Sequence, residues 1–223
     1  MGVFTREMAG LFLAVAVLFS IACGHVAETP GKFVDPPPSP AIDLTPTPQS
    51  DSNSPIRKID FKNFRFTGPD DYAETFILRE GEKSFVPRKE DGIHLEQIEY
   101  ADLTSDGSDE AIIVMSIQTG GSSAPGLVFI YALENERPKC LWKSMTGDRA
   151  DGGFKSLDIE KGNLVIQLYG DTRLVNGSWK TKIPDGRMGD CCPTVFTSSV
   201  FTWDGHRFVQ DGESVIKEIS RDK

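Results

Sequence analysis

Two strongly apolar runs, at 111–117 and 127–133, limit the folds that this chain can adopt. Each run is short, rich in β-branched and aromatic residues, and bordered by turn-forming residues, which is typical of a buried strand. Because neither run alternates between apolar and polar residues, each strand needs cover on both of its faces. We therefore expect the two runs to form strands at the centre of the fold.

The sequence from 56 to 223 favours strands throughout. Gly and β-forming residues dominate, turn signals recur, and no long 3.6-residue period indicates a helix. The expected fold is mainly β: a single antiparallel β domain, arranged as a sandwich or a strongly curved sheet. A propeller needs about four or more blades of four strands, which is too many for this length. Strands are predicted at 58–66, 75–78, 84–87, 94–100, 111–117, 127–133, 140–144, 154–159, 163–169, 194–203 and 206–210.

The residue types at two positions predict hairpin turns. The segment 160–163, Glu-Lys-Gly-Asn, fits a turn between two strands. Asp204-Gly205 is a two-residue hairpin signal of the strongest kind. The closing segment 212–219 can form either a short helix or a last strand.

An acidic loop, 102–110, comes directly before the first apolar run. Alternate residues of a tight loop can point inward together, and Gly107 permits the turn. Ca²⁺ binds about six to eight oxygens at about 2.3–2.6 Å. The loop is not an EF-hand, because Ile113 stands where the bidentate Glu is needed and strands flank it. A plain turn rich in Asp, Gly and Ser is the alternative. The candidate ligands are Asp102, Thr104, Asp106, the Ser108 carbonyl and Glu110.

The strand-flanked loop, with its D-x-T-x-D-G core, resembles the calcium loops of FG-GAP and VCBS repeat proteins. That resemblance implies a structural Ca²⁺ that ties the loop to a neighbouring segment. A second dense loop, 147–153, carries Asp148 and Asp151, whose carboxylates could add oxygens to the same ion. No other cofactor is expected.

Residues 1–22 are interpreted as an export signal. The segment 11–19 is an apolar core of signal-peptide length, too short to span a bilayer comfortably. The sequence Ser-Ile-Ala before Cys23 resembles the lipobox of bacterial lipoproteins. That resemblance implies a lipid anchor on Cys23 and a place in a bacterial cell envelope, on the outer membrane or on a periplasmic or extracellular face. An ordinary secretory signal before an unmodified Cys is the alternative.

A proline-rich segment, 23–55, follows the signal. It holds eight of the 14 prolines and few large apolar residues, so it cannot bury enough surface to offset the entropy cost of ordering. Pro-rich chain is semi-extended, at about 3.1 Å per residue. We expect a disordered tether that holds the domain tens of ångströms from the membrane. A ligand for a groove-binding domain is the alternative.

The other cysteines are Cys140, Cys191 and Cys192. In an oxidising compartment thiols tend to pair. Three arrangements stay open: a strained disulfide between the adjacent Cys191 and Cys192, a bridge from Cys140 to one of them, or free thiols that could hold a soft metal.

Four segments together resemble a group of uncharacterised bacterial lipoproteins: 59–64 (IDFKNF), 101–107 (ADLTSDG), 146–153 (TGDRADGG) and 191–193 (CCP). The resemblance covers the whole domain and implies one domain and an envelope location. Because both cysteines belong to the shared motif, it also implies the disulfide between Cys191 and Cys192. It implies no activity.

Charge and motifs exclude some function classes. The net charge of −9 is a poor fit for nucleic acid, which needs a basic face. The chain has no G-x-S-x-G elbow and no H-E-x-x-H pair. Asp109 and Glu110 should point to opposite faces of a strand. The tryptophans at 142, 179 and 203 are interpreted as packing residues rather than as a sugar platform.

Three functional hypotheses remain. The first is a non-enzymatic binding or interaction module, anchored to the membrane by lipid, stabilised by Ca²⁺, with an envelope protein or glycan as its partner. The second is a hydrolase of envelope glycan or peptide that uses carboxylates such as Asp148, Asp151 or Glu110. The third is a redox partner that works through Cys191 and Cys192.

Overall fold

The computed structural model describes residues 53–85, 88–120, 124–148, 150–182 and 193–219. In these ranges the chain forms strands, three short 3₁₀ helices and turns. The 3₁₀ helices are Pro55–Lys58, Phe61–Asn63 and Asp70–Tyr72. The strands are β1 (Arg65–Thr67), β2 (Thr75–Ile77), β3 (Glu82–Phe85), β4 (Arg88–Ala101), β5 (Glu110–Gln118), β6 (Gly126–Glu134), β7 (Arg137–Met145), β8 (Phe154–Glu160), β9 (Asn163–Tyr169), β10 (Thr172–Val175), β11 (Ser178–Thr181), β12 (Val195–Trp203) and β13 (Phe208–Glu218).

Two larger sheets and two strand pairs contain the described strands. The larger sheet has the order β3-β4-β5-β6-β7, so neighbours in sequence are neighbours in space. The second sheet has the order β13-β12-β9-β8, and β1–β2 and β10–β11 pair separately. All of these strand pairs are antiparallel. The prediction of a mainly β, antiparallel domain is confirmed.

Strands β5 and β6 lie between two apolar cores. Successive side chains of a strand point to opposite faces. On β5, Ile113 and Met115 belong to one core and Ile112 and Val114 to the other, and each is at most 2% exposed. The segment 56–78 closes the first core, and the four-stranded sheet closes the second. The prediction that both apolar runs are covered on both faces is confirmed.

The prediction of a strand over 58–66 is wrong. The 3₁₀ helices take in residues 58 and 61–63 of this stretch, and only Arg65 and Phe66 at its end enter β1. Asp60 caps the second turn by accepting a hydrogen bond from the Lys62 amide at 3.1 Å. The turns let Phe61 and Phe66 pack into the same core. In a straight strand, two residues an odd number of positions apart would point to opposite faces.

Both predicted hairpins form. Lys161 and Gly162 join β8 to β9 with φ angles of 53° and 78°, the positive values that a type I′ turn requires. The hairpin between β12 and β13 has a longer connection than predicted, because Trp203 pairs with Phe208. The segment 212–219 largely continues β13 as a strand, which decides between the two alternatives.

Strands β10 and β11 are absent from the prediction. They are four residues each and are joined by Asn176-Gly177, both with positive φ. Within the described ranges, no helix has the length and apolar character needed to cross a membrane.

Candidate functional site

The acidic loop 102–110 joins β4 to β5 at one end of the five-stranded sheet. Its last residue, Glu110, is also the first residue of β5 and pairs with Ala101 of β4. Because the same strand pair fixes both ends of the loop, its shape depends on hydrogen bonds between its own amides and carboxylates.

Glu110 is the buried centre of this loop. It is 1% exposed, and its Oε2 accepts hydrogen bonds from the amides of Leu103 (2.8 Å) and Thr104 (3.0 Å). Its Oε1 accepts the Thr104 hydroxyl at 3.3 Å. Burial raises the pKa of Glu110 to about 7, against the opposing effect of the two amides, and the charge of Asp106 adds to the rise. Desolvation therefore dominates at this carboxyl.

Asp102 holds the turn of the loop. Its carboxylate accepts the amide of Asp106 on Oδ1 (3.2 Å) and the amide of Gly107 on Oδ2 (3.0 Å). Asp106 accepts the Ser108 amide at 2.8 Å. The φ of Gly107 is 86°, a conformation that favours glycine. The sequence-predicted oxygens at 102, 106 and 110 therefore all bind loop amides.

Asp109 points away from Glu110, as the alternation of a strand predicts. It is 2% exposed, and its Oδ2 accepts a hydrogen bond from Arg57 Nε at 2.8 Å. The Asp109 amide donates to the Ser54 hydroxyl at 3.2 Å. Arg57 also lies over the ring of Tyr100, 4.7 Å from its centroid. The loop thus binds the N-terminal segment of the domain through the face opposite Glu110.

A recess of about 320 Å³ opens beside the acidic loop. The loop forms one wall, and β6, β7 and Trp203 of β12 form the rest. Lys139 Nζ and Glu134 Oε1 form an ion pair of 2.8 Å. The lining residues are Thr104, Asp106, Glu110, Ala132, Leu133, Glu134, Lys139, Leu141 and Trp203.

The acidic loop has some of the features that Ca²⁺ requires. A carboxylate has about four lone-pair positions, so the amides bound to Asp102 leave positions for a cation, and oxygen is the ligand that Ca²⁺ prefers. Within the described ranges, however, no group of three or more His, Cys, Asp or Glu side chains is arranged to hold a metal ion. Calcium binding stays a prediction.

Asp148 and Asp151 lie at the opposite end of the sheet. Their loop follows β7, whose end pairs with the start of β6, whereas the acidic loop adjoins the start of β5, which pairs with the end of β6. Since β6 has nine residues, it spans roughly 27 Å. The predicted addition of these two carboxylates to the loop's ion is therefore wrong. Asp148 instead accepts the Asp151 amide at 3.1 Å.

The same separation bears on the hydrolase hypothesis. Glu110 lines the recess at one end of the sheet. Asp151 lines a different recess at the other end, together with Asp71 and Trp179. The fold therefore does not bring Glu110 and Asp151 to one reaction centre.

Cys140 lies on β7 and, among the described residues, is a free and exposed thiol. Its sulfur donates to the Trp142 carbonyl at 3.3 Å. Cys191 and Cys192, one of which a bridge from Cys140 would need, lie outside the described residues, so that alternative also stays a prediction. Cys23, Cys191 and Cys192 lie outside the described residues, so lipidation and the adjacent-cysteine disulfide stay predictions.

No family model, curated protein or solved structure matches this chain. The site therefore has to be interpreted from its own geometry.

Sequence analysis misses several residues of the site, among them Asp109 and Trp203. Asp109 is absent from the candidate ligands, and its partner Arg57 is 52 positions away, so no local pattern links them. Trp203 is predicted only as a packing residue. It does pack on Phe208, with 5.1 Å between the ring centroids, but it also lines the recess. Its position directly before the Asp204-Gly205 hairpin signal gives no indication of that second role.

Proposed function

We propose that this protein is a non-enzymatic binding module of a bacterial cell envelope, held at the membrane by a lipid on Cys23. Its binding site is the recess beside the acidic loop, its partner is an envelope protein or glycan, and a structural Ca²⁺ stabilises the loop. The observation that carries this proposal is the meeting of carboxylates, a hydroxyl and an indole in one concavity at the end of a sheet.

The chemistry of the recess supports binding. Ligand sites are concave and combine apolar or aromatic walls with a few placed polar groups. Trp203 and Leu141 supply the apolar wall, and Thr104 and Asp106 supply polar groups. Glu110 fixes the loop from beneath by accepting hydrogen bonds from two backbone amides. A binding surface mounted on strands and held from below keeps its geometry without a ligand.

The sequence features outside the described residues support the envelope location. The export signal and the Ser-Ile-Ala-Cys23 sequence precede a proline-rich segment. A lipid on Cys23 would hold the chain at a bilayer, and the tether would give the recess access to partners at a distance from it. In the oxidising envelope, we infer that Cys191 and Cys192 form a disulfide.

The calcium component is tested by thermal unfolding of the chain from Cys23 to Lys223 with Cys23→Ser, first in EDTA and then with Ca²⁺ or Mg²⁺. A hundredfold excess over the dissociation constant contributes about 2.7 kcal/mol, so we expect Tm to rise by roughly 5 °C or more with Ca²⁺. Asp106→Ala should abolish the rise. Asp151→Ala, which removes an equal charge at the other end of the sheet, should retain it. An unchanged Tm in both ions would remove calcium from the proposal.

The binding component is tested by co-sedimentation of the same lipid-free chain with washed envelope fragments. We expect the chain to sediment with the fragments, Asp106→Ala to reduce the bound fraction several-fold, and Asp151→Ala to leave it unchanged. Equal sedimentation of all three proteins, or none by the unsubstituted chain, would contradict a binding site at this recess.

A further inference from the structure

We propose that the recess beside the acidic loop binds an alkylammonium group, such as the side chain of a lysine in a partner, with the charged nitrogen against Asp106 and the carbon chain against Trp203. This inference rests on the proposed function, because it takes the recess as the binding site and adds the chemical class of its ligand.

The charge of the recess selects a cation. Three acidic side chains line it, Asp106, Glu110 and Glu134, and the one lysine in that lining, Lys139, is already paired with Glu134 at 2.8 Å. Asp106 is exposed and uses Oδ1 for the Ser108 amide, so its other oxygen can accept a bond from a ligand. An anion would meet repulsion from these carboxylates.

The apolar wall of the recess favours a cation that has an alkyl chain. Leu141 and the partly buried Trp203, which both pack on the second core, form an apolar side to the recess. The face of an indole attracts ammonium groups more strongly than other aromatic rings do. A volume of about 320 Å³ is far larger than a bare metal ion needs and can take a chain of several carbons. A hydrated divalent ion would leave the apolar wall without a partner.

Glu110 fixes the position of the wall that the acidic loop gives to the recess. Its carboxyl is held beneath the loop by the amides of Leu103 and Thr104, so it cannot turn away from the recess toward solvent. Thr104 lines the same recess and bonds to Glu110 through its hydroxyl at 3.3 Å. The ligand therefore meets a preformed wall, which lowers the cost of ordering on binding.

The test is a titration of the ¹⁵N-labelled chain from Cys23 to Lys223, carrying Cys23→Ser, at pH 8. The probes are n-butylammonium, the neutral isostere 1-butanol, and glucose. The indole N–H signal of Trp203 is the readout, identified by its loss in Trp203→Phe. We expect this signal to shift and saturate with n-butylammonium. The affinity for 1-butanol should be at least fivefold lower. Asp106→Asn should lower the affinity for n-butylammonium by roughly fivefold or more, and the matched Asp151→Asn should leave this affinity unchanged.

The outcomes separate this inference from the proposed function. Equal shifts with 1-butanol and n-butylammonium, or no effect of Asp106→Asn, would overturn the ammonium proposal. A shift with glucose alone would overturn it too but would keep the recess as a binding site. Co-sedimentation with envelope fragments that is lost in Asp106→Ala, with no shift of the Trp203 signal by n-butylammonium, would keep the proposed function and overturn the ammonium ligand.

Discussion

Two adjacent acids with opposite environments define the chemistry of the acidic loop. Asp109 is buried against Arg57, whereas Glu110 is buried against backbone amides with no cation beside it in the described residues. A charged partner favours an ionised carboxyl, and burial without one favours the protonated form. The pKa of Glu110 is accordingly raised to about 7. Glu110 therefore titrates near neutrality.

The raised pKa of Glu110 predicts how stability depends on pH. The folded state keeps the proton up to about pH 7, whereas the ordinary pKa is 4.5. The stability that this proton contributes is fully present below pH 4.5 and is lost as pH rises toward 7, by at most about 3 kcal/mol. Glu110→Gln cannot titrate and can still accept the amides of Leu103 and Thr104. We expect the free energy of unfolding of the unsubstituted chain to fall relative to that of Glu110→Gln between pH 5 and 8.

Chemical denaturation at several pH values measures this difference. Glu134→Gln is the matched control, since the side chain of Glu134 is 58% exposed, and its difference from the unsubstituted chain should change little with pH. A Glu110→Gln difference that is as flat as this control would mean that Glu110 is solvated.

The pair of Arg57 and Asp109 predicts a large effect of a single substitution. The Asp109 side chain is 1% exposed, and within the described residues its Oδ1 has no hydrogen-bond partner. Arg57→Ala would leave this buried charge uncompensated, at a cost of about 3–5 kcal/mol. Arg173→Ala breaks a more exposed pair with Asp171 and should cost less than about 1 kcal/mol. Urea unfolding compares them, and equal losses would contradict a buried role for Asp109.

For single residues, the sequence predicts which face of a strand a side chain points to, but it does not predict how deeply that side chain is buried. The period of two in a strand correctly places Asp109 and Glu110 on opposite faces. Their burial depends on what covers each face, which the spacing of neighbouring residues does not contain. The cover for Asp109 comes from Arg57, 52 positions earlier.

Among the elements, the N-terminal segment 56–78 behaves as part of the core rather than as the end of the tether. Phe66 of β1 is fully buried and lies 5.5 Å from Phe76 and 5.2 Å from Phe129, measured between ring centroids. We expect Phe66→Ala to destabilise the domain by about 3–5 kcal/mol. Val175→Ala, at a site that is 47% exposed, should cost less than about 0.5 kcal/mol. Thermal or urea unfolding decides, and a small loss at Phe66 would place this segment outside the cooperative unit.

The strands that sequence predicts well are those with a strong local signal. The runs at 111–117 and 127–133 are apolar throughout, and the turn at 160–163 contains a Gly in a conformation that only Gly adopts easily. The stretch 58–66 misleads because β-forming residues there are folded into 3₁₀ turns, which their composition does not forbid. Strands β10 and β11 are short, although the Asn176-Gly177 turn between them is a recognised hairpin signal. The set of residues that lines the recess beside the acidic loop depends on how the two sheets pack, and no local sequence pattern encodes this packing.

At the scale of the whole molecule, the proposal divides the chain into an anchor, a spacer and a binding domain. The loop contacts the start of the described chain through Ser54 and Arg57, so the loop that lines the recess also holds residues 54–57. A lipid anchor would therefore act on a domain whose binding loop and entry segment are fixed to each other.

A lipid on Cys23 would decide whether the chain fractionates with membranes. Acyl chains contribute about 0.8 kcal/mol for each buried CH₂ group, so several chains on one cysteine hold a protein at a bilayer without a spanning helix. We expect Cys23→Ala, expressed as the full chain in a bacterial host, to move the protein from the membrane pellet to the supernatant and to abolish labelling by a fatty acid. Cys140→Ala is the matched control, because Cys140 is a free and exposed thiol on β7, and both pelleting and labelling should persist. A Cys23→Ala chain that still pellets after a high-salt wash would show that another feature attaches the protein, and the lipobox resemblance would then carry no anchoring role.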